Sequence, residues 1–152
     1  MISIRWIFAL ALFAQSALAY AQGPYFTCVN FNGTKVAQVM DSTIPDGAMA
    51  FPHQAVIRFN PAAMNNMPPV VRDFVYAHEC AHHALGHTVI KPNSEPEADC
   101  WAIKMLVFKF GLPPEGVNQI QAFFYPLAST AAHPPGHVRA MAIGNCAKIP
   151  PQ

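Results

Sequence analysis

The stretch HECAHHALGH, residues 78–87, holds four of the seven histidines of this 152-residue chain together with one acidic residue. Between Val71 and Leu85, apolar and histidine positions recur at intervals of three and four residues, and this periodicity predicts a helix. His78 and His82 are four residues apart, so their side chains share one face of that helix. Both imidazoles can therefore reach the same ligand.

The acidic residue of this stretch, Glu79, completes the pattern H-E-x-x-H. In this arrangement the histidines, here His78 and His82, bind one zinc ion, and the carboxylate lies beside the ion as a general base rather than a ligand. The alternative is a surface helix on which histidine and glutamate occur by chance, because the chain is rich in histidine. A third metal ligand would distinguish the two interpretations.

Three residues are candidates for the third ligand, and the first of them is His87. It lies nine positions after His78, which is half a turn away from the shared helix face at 3.6 residues per turn. It could join the site only if the chain turned sharply at Gly86. We therefore interpret His87 as a helix-terminal histidine, which is favourable near the negative end of the helix dipole.

The other two candidates lie on the next predicted helix, which begins at Ser94. Glu95 and Asp99 share one face of this helix, so one carboxylate could bind zinc while the other accepts a hydrogen bond from a ligand histidine. Two histidines and one glutamate leave one zinc position open for water. Glu97 lies off that face, and its spacing from Ser94 indicates a capping box. The alternative for these acids is a solvated first turn.

Four cysteines, at positions 28, 80, 100 and 146, favour disulfides because their number is even and the chain has a predicted secretory signal. Three pairings are possible. Cys80 and Cys100 lie in the two helices that carry the motifs, so we expect a bond between them that locks the metal ligands in place. Cys28 and Cys146 would then join the first strand to the end of the chain. A cysteine-ligated metal is disfavoured because the sequence contains no CxxC pair.

The first 21 residues have the form of a cleaved secretory signal peptide. Arg5 supplies a positive charge, an apolar run follows, and small-x-small sites end at Ala21. An uncleaved anchor is the alternative. We expect residues 22–152 to form a single domain, secreted or periplasmic, with no membrane span after signal removal. Nucleic-acid binding is disfavoured because the net charge is only +1 and no stretch is rich in lysine or arginine.

Strand patterns come before helix patterns along the chain, which predicts the α+β class. A hairpin is expected at 27–39, with Asn32-Gly33 as its two-residue turn, and Ala55–Phe59 is expected to be a further strand of a small antiparallel sheet. Four helices are expected, at 69–85, 94–110, 113–127 and 134–143.

HECAH followed by Glu95-Pro96-Glu97-Ala98-Asp99 resembles the motifs of the gluzincin metallopeptidases. The longer H-E-x-x-H-x-x-x-x-H string and the E-x-E-A-D wording resemble the M48 family in particular. The segment Ser129–Arg139 is similar to a Ser-Thr-His-Pro segment of that family, although two alanines separate Ser129-Thr130 from His133. The resemblance covers about Val70 to Cys146, and its first two motifs are the specific ones.

The resemblance implies a zincin-like domain that acts as a zinc-dependent endopeptidase on peptide or protein substrates. The chain departs from the family, whose domains are usually larger and often membrane-embedded, so it is expected to be a minimal version without added membrane helices. It implies one zinc ion held by His78, His82 and Glu95. It further implies that Glu79 is the general base of peptide hydrolysis and that Asp99 is a hydrogen-bond partner of a ligand histidine.

Two further roles follow from the resemblance. It implies that His133 or Arg139 lies near the cleft and stabilises an oxyanion. In the gluzincin pattern an edge strand before the motif helix receives the substrate, and Ala55–Phe59 is the candidate. The alternatives are a non-catalytic zinc domain that binds partners or acts as a chaperone, a metal buffer, and a disulfide-stapled structural protein. The presence of Glu79 argues against the non-catalytic zinc domain, since a purely structural metal site needs no general base.

Overall fold

The computed structural model describes residues 26–89 and 91–151, so the signal peptide predicted at 1–21 lies outside the described residues. These residues form a three-stranded mixed sheet followed by five helices, which confirms the α+β class. The strands are β1 (Ala37–Met40), β2 (Ala48–Phe51) and β3 (Val56–Phe59). The helices are α1 (Pro61–Asn65), α2 (Pro69–Ala84), α3 (Ser94–Lys104), α4 (Pro114–Phe124) and α5 (Gly136–Cys146).

The sheet differs from the antiparallel one expected from the sequence. Its order is β1-β3-β2, with β1 parallel to β3 and β2 antiparallel to β3. The predicted hairpin is reduced to one bridge, between Val29 and Lys35. The reason is that its first arm is attached to α2 instead: the N–H of Phe31 donates to the carbonyl of His83 at 3.0 Å, at the C-terminal end of that helix.

The central strand of the sheet is β3, so the expectation that Ala55–Phe59 is an edge strand is wrong. Among the described residues, β2 is an edge strand, and it was not expected from the sequence. Ala48–Phe51 carries no alternation of polar and apolar residues, since all four of its side chains are apolar. The strand is recognisable only from its pairing with β3.

The four predicted helices are all present, and α1 is an additional short helix. α2 begins at Pro69, because proline fits a first helical turn where its missing N–H is not needed. Gly86 and Gly111 adopt φ values of +69° and +70°, which favour glycine, and they follow the helical segments that were expected to end there. A π-helical segment, Met105–Lys109, continues α3.

Helix α2 is the centre of the fold because it packs between the helices and the sheet. Phe74 on one side of α2 belongs to a core with residues of α3, α4 and α5, whereas Tyr76 on the other side packs in a second cluster with Ile57 of β3. All residues from Tyr76 to His83 are buried. The motif histidines therefore lie on a helix that is held from both sides.

The disulfides differ from the pairing expected from the sequence. They join Cys28 to Cys80 and Cys100 to Cys146, with Cα–Cα separations of 5.6 and 5.3 Å. The expected Cys80–Cys100 bond is wrong because each residue turns about 100° around a helix. Cys80 therefore points about 200° away from His78, towards the sheet side of α2. The observed bonds attach the N-terminal arm to α2 and join α3 to α5.

We expect a protease digest made without reduction to contain two cross-linked peptide pairs, one with Cys28 and Cys80 and one with Cys100 and Cys146. Each bond joins residues whose Cα atoms lie within the range that a disulfide spans. Mass spectrometry before and after reduction measures the pairing. A peptide that links Cys80 to Cys100 would contradict the structure.

Two observations bear on the location of the protein. All four cysteines form disulfides, which persist in oxidising compartments. Within the ranges 26–89 and 91–151, no helix has the length and apolar composition needed to cross a bilayer. The disulfides are consistent with the predicted extracytoplasmic location.

Candidate metal centre

Three buried side chains converge between α2 and α3. The Nε2 atoms of His78 and His82 lie 3.2 Å apart. Glu95 places Oε2 at 3.1 Å from Nε2 of His78 and Oε1 at 3.4 Å from Nε2 of His82. Of the three residues, His82 is the most exposed, at 7%. One donor atom from each residue can thus face a common point.

The spacing of these donor atoms fits a metal ion. Ligands placed at about 2.0–2.1 Å around a tetrahedral ion are about 3.3–3.4 Å from one another. The separations of 3.1–3.4 Å found here match that requirement. His78, His82 and Glu95 can therefore hold a metal ion, and two imidazoles with one carboxylate suit zinc and related divalent metals.

The charge distribution also favours a cation at this point. Burial disfavours the charged form of His78, yet hydrogen bonds to the carboxylates of Asp99 and Glu95 outweigh burial and raise its pKa to about 10. The surroundings therefore stabilise a positive charge at His78. Burial and the charge of His78 together lower the pKa of His82 to about 4, so His82 is neutral at physiological pH. A metal ion would have to displace the proton of His78 before both imidazoles could bind it, because only the neutral imidazole is a ligand.

Glu79 lies beside this group without belonging to it. Its carboxylate is 8% exposed and accepts a hydrogen bond from the backbone N–H of Ala50 in β2 at 2.7 Å. Burial is the largest cause of the rise in its pKa to about 7, and the neighbouring carboxylate of Glu95 adds to it. A carboxylate with a pKa near the working pH is suited to proton transfer.

Asp99 occupies the position expected of a partner to a ligand histidine. Its Oδ1 lies 2.8 Å from Nδ1 of His78, on the side of the ring opposite to Nε2. Arg139 of α5 donates to both oxygens of Asp99, at 2.8 and 2.7 Å, and packs over the ring of Phe124. Burial alone would raise the pKa of Asp99, but the hydrogen bonds from Arg139 and His78 lower it to about 2.

His133 and Arg139, the two residues expected near the cleft, both line the cavity beside the three side chains, but their contacts differ. The Nε2 atom of His133 lies 3.0 Å from Oε2 of Glu95, and its side chain is 24% exposed. Thr130 holds the backbone of His133 by accepting its N–H at 3.0 Å. Arg139, in contrast, is buried against Asp99, so its guanidinium orients a carboxylate. His133 is the more accessible of the two from the cleft.

Two residues near the metal centre were not assigned to it from the sequence. His87 reaches the outer nitrogen of His82, with the two Nδ1 atoms 3.0 Å apart. Glu97 lies 3.1 Å from Nε2 of His87. Gly86 could have predicted the contact of His87, because a glycine after a helix often reverses the chain and brings the next residue back to the last helical turn.

A cavity of about 380 Å³ opens beside the metal centre. His78, Glu79 and His133 line one part of it, and most of the remaining lining is apolar. The apolar lining includes Met67, Phe74, Val75, Phe123, Phe124 and Leu127.

Strand β2 borders the same cavity through Ala48. The N–H of Asn60 donates to the carbonyl of Gly47, and hydrogen-bonded positions alternate along an antiparallel pair. Ala48 and Ala50 therefore direct their backbone groups away from β3. The contact of the Ala50 N–H with Glu79 agrees with this orientation.

Comparison of the chain with protein families, curated proteins and solved structures found no match. A function must therefore be inferred from the motifs, from the convergence of His78, His82 and Glu95, and from the cleft beside them.

Proposed function

We propose that this protein is a secreted or periplasmic zinc-dependent endopeptidase of the gluzincin type. The observation that carries the proposal is the position of Glu79. Its carboxylate has a pKa raised to about 7 and lies beside a buried group of two histidines and one glutamate. A purely structural metal site has no need of a buried acid next to it, since burial of a carboxylate costs free energy.

The proposed chemistry divides the work among a few residues. His78, His82 and Glu95 would hold zinc, which when bound acts as a Lewis acid that acidifies water and polarises a carbonyl group. Glu79 takes a proton from the attacking water and later passes it to the leaving amine. In this structure Nε2 of His133 lies 3.0 Å from Oε2 of Glu95. With Glu95 bound to zinc, this N–H would donate instead to the developing oxyanion.

The substrate is proposed to bind as an added strand along β2. Ala48 and Ala50 direct backbone groups away from β3, and an extended peptide can pair with such an edge. The Ala50 N–H is already bonded to Glu79, so the peptide would pair with the other outward backbone groups of Ala48 and Ala50, and this would carry it past that carboxylate. The apolar lining of the adjacent cavity favours a large apolar side chain next to the cleaved bond.

The experiment that tests the proposal uses residues 22–152 with both disulfides formed. We expect about one zinc per chain by elemental analysis, as a single three-residue site with one open position requires. We also expect cleavage of a quenched fluorescent peptide library, which a chelator stops and added zinc restores. The Glu95→Ala variant is expected to bind zinc at least about tenfold more weakly, because one of the three ligands is lost.

The outcomes separate the proposal from its rivals. One zinc per chain without any cleavage would favour the non-catalytic zinc domain that binds partners or acts as a chaperone. Several metal ions per chain would favour a metal buffer. Protein that binds no zinc, or binds it equally well after Glu95→Ala, would contradict the metal centre itself.

A further inference from the structure

The chain reverses at the end of α2 and returns one histidine to the helix. The N–H of His87 donates to the carbonyl of His82 at 2.8 Å, and the N–H of Gly86 donates to that of His83 at 3.3 Å. Gly86 makes this possible because its φ of +69° is unfavourable for residues with a Cβ atom. This helix-ending turn places the imidazole of His87 beside that of His82.

Three side chains form a line from the metal centre to the surface. His82 faces the centre with Nε2, and its Nδ1 lies 3.0 Å from Nδ1 of His87. Nε2 of His87 lies 3.1 Å from Oε2 of Glu97. The side chain of His87 is only 9% exposed, whereas that of Glu97 is 58% exposed. The line therefore passes from a buried ligand to a solvated carboxylate.

Only one assignment of protons satisfies all these contacts when His82 binds a metal through Nε2. A neutral imidazole with a metal on Nε2 carries its proton on Nδ1, so His82 donates to Nδ1 of His87. His87, accepting there while neutral, carries its own proton on Nε2 and donates it to the carboxylate of Glu97. Every nitrogen then has a partner of the correct kind.

We propose that His87, held by Glu97, is the positioning residue of the metal ligand His82. It fixes the tautomer and the ring orientation of His82, as Asp99 does for His78. The two ligands differ in one respect: His78 meets a carboxylate directly, whereas a neutral imidazole separates His82 from Glu97. The inference rests on the metal-binding part of the proposed function and is independent of peptide hydrolysis.

The first test compares zinc affinities by competition with a chromophoric chelator. The His87→Ala variant is expected to bind zinc about 10–100-fold more weakly, which is the usual cost of losing an outer partner of a ligand. In His87→Asn the side-chain oxygen takes the place of Nδ1, so most of the affinity should return. His137→Ala is the control, because His137 is an exposed histidine away from the metal centre.

A second pair of variants covers the case in which His87→Ala does not fold. Glu97→Gln changes only an exposed side chain and removes the charge that holds His87, so zinc affinity should fall by a smaller factor. Glu115→Gln is its matched control, since both acids are in the first turn of a helix. If Glu97 only stabilised the first turn of its helix, as Glu115 does in its own, then Glu97→Gln and Glu115→Gln would lower stability alike. Neither variant would then change the zinc affinity.

The decisive measurement is a nitrogen-15 NMR spectrum of the zinc-loaded protein. We expect a proton on Nδ1 of His82 and a scalar coupling through the hydrogen bond to Nδ1 of His87. An unchanged zinc affinity in His87→Ala and Glu97→Gln, or a proton on Nδ1 of His87, would overturn the proposal. A wild-type chain that binds no zinc would overturn it together with the proposed function, whereas an inactive chain that binds zinc would refute only the peptidase.

Discussion

Glu79→Gln is expected to reduce peptide hydrolysis about 10²–10⁴-fold while leaving the zinc content at about one ion per chain. Glutamine has the shape of glutamate but cannot accept a proton from water. Its side-chain oxygen can still accept the hydrogen bond that the Ala50 N–H donates to Glu79. Strand β2 and the metal ligands should therefore stay in place, so that only the base is lost.

Glu79→Gln is also expected to change how the stability of the metal-free protein depends on pH. Burial raises the pKa of Glu79 to about 7 from its ordinary value of 4.5, so in the metal-free protein the ionised carboxylate destabilises the fold. This penalty is absent below pH 4.5 and develops as the pH rises towards 7. Glu79→Gln should therefore be equally stable at pH 4 and more stable than the metal-free wild type at pH 8.

Urea unfolding at the two pH values and cleavage assays on zinc-loaded protein measure these effects. Glu115→Gln is the control, because it removes an exposed acid that lies outside the metal centre. Cleavage by Glu79→Gln at the wild-type rate would show that Glu79 is not the base. Loss of zinc from the variant would instead show that Glu79 is a ligand.

The candidate metal-binding residues could be predicted from the sequence because their spacing is local. His78 and His82 share a face on any helix, and Glu95 and Asp99 share a face on the next. The only non-local step was to pack these two faces together. When these two faces pack together, the buried carboxylates of Glu95 and Asp99 gain hydrogen-bond partners that they would otherwise lack at the core of the fold.

Features that depend on contacts between distant segments could not be predicted. The predicted disulfide pairing was wrong because Cys80 and Cys100 are adjacent to motif residues in the sequence but point to other faces of their helices. The prediction of the sheet was wrong for a related reason. Residues 27–31 have a strand pattern, yet Cys28 is bonded to Cys80, so this segment follows α2 rather than the sheet.

The contact of His87 with His82 was missed for a different reason. Helical periodicity puts His87 half a turn away from the metal-binding face, and that estimate assumes that the helix continues. The helix ends at Gly86, whose left-handed conformation reverses the chain. The positions of residues just after a helix-ending glycine should therefore be predicted from the geometry of the turn and not from the helical period.

The largest loss of stability is expected for Asp99→Asn. Asp99 is 2% exposed and accepts hydrogen bonds from two nitrogens of Arg139 and one of His78. Asparagine has one oxygen and presents an amide N–H2 group to a second donor. Arg139, which is 9% exposed, would keep a buried charge without a counter-charge. Breaking such a pair costs about 3–5 kcal/mol.

Asp99→Asn should also weaken zinc binding about 10–100-fold, because His78 loses the carboxylate that fixes its tautomer. Asp41→Asn provides the control: it breaks a more exposed ion pair with Arg58, and should cost much less stability than Asp99→Asn because solvent screens exposed pairs. Both variants are compared with the wild type by urea unfolding and by chelator competition. An Asp99→Asn variant no less stable than Asp41→Asn would contradict the assigned contacts.

The pH dependence of the Asp99→Asn effect follows from the pKa of Asp99, which is lowered from 3.8 to about 2. A carboxylate with a depressed pKa stabilises the fold fully above its unfolded pKa, and this contribution disappears as the pH falls through the folded value. The stability difference between wild type and Asp99→Asn should therefore be constant from about pH 4 to about pH 6 and vanish towards pH 2. It should also shrink as the pH rises from about 6.5 to 10, because Asp99 raises the pKa of His78 to about 10 and the variant loses that contribution. A difference that persists below pH 2 would show that the side-chain shape, and not the charge, supports His78.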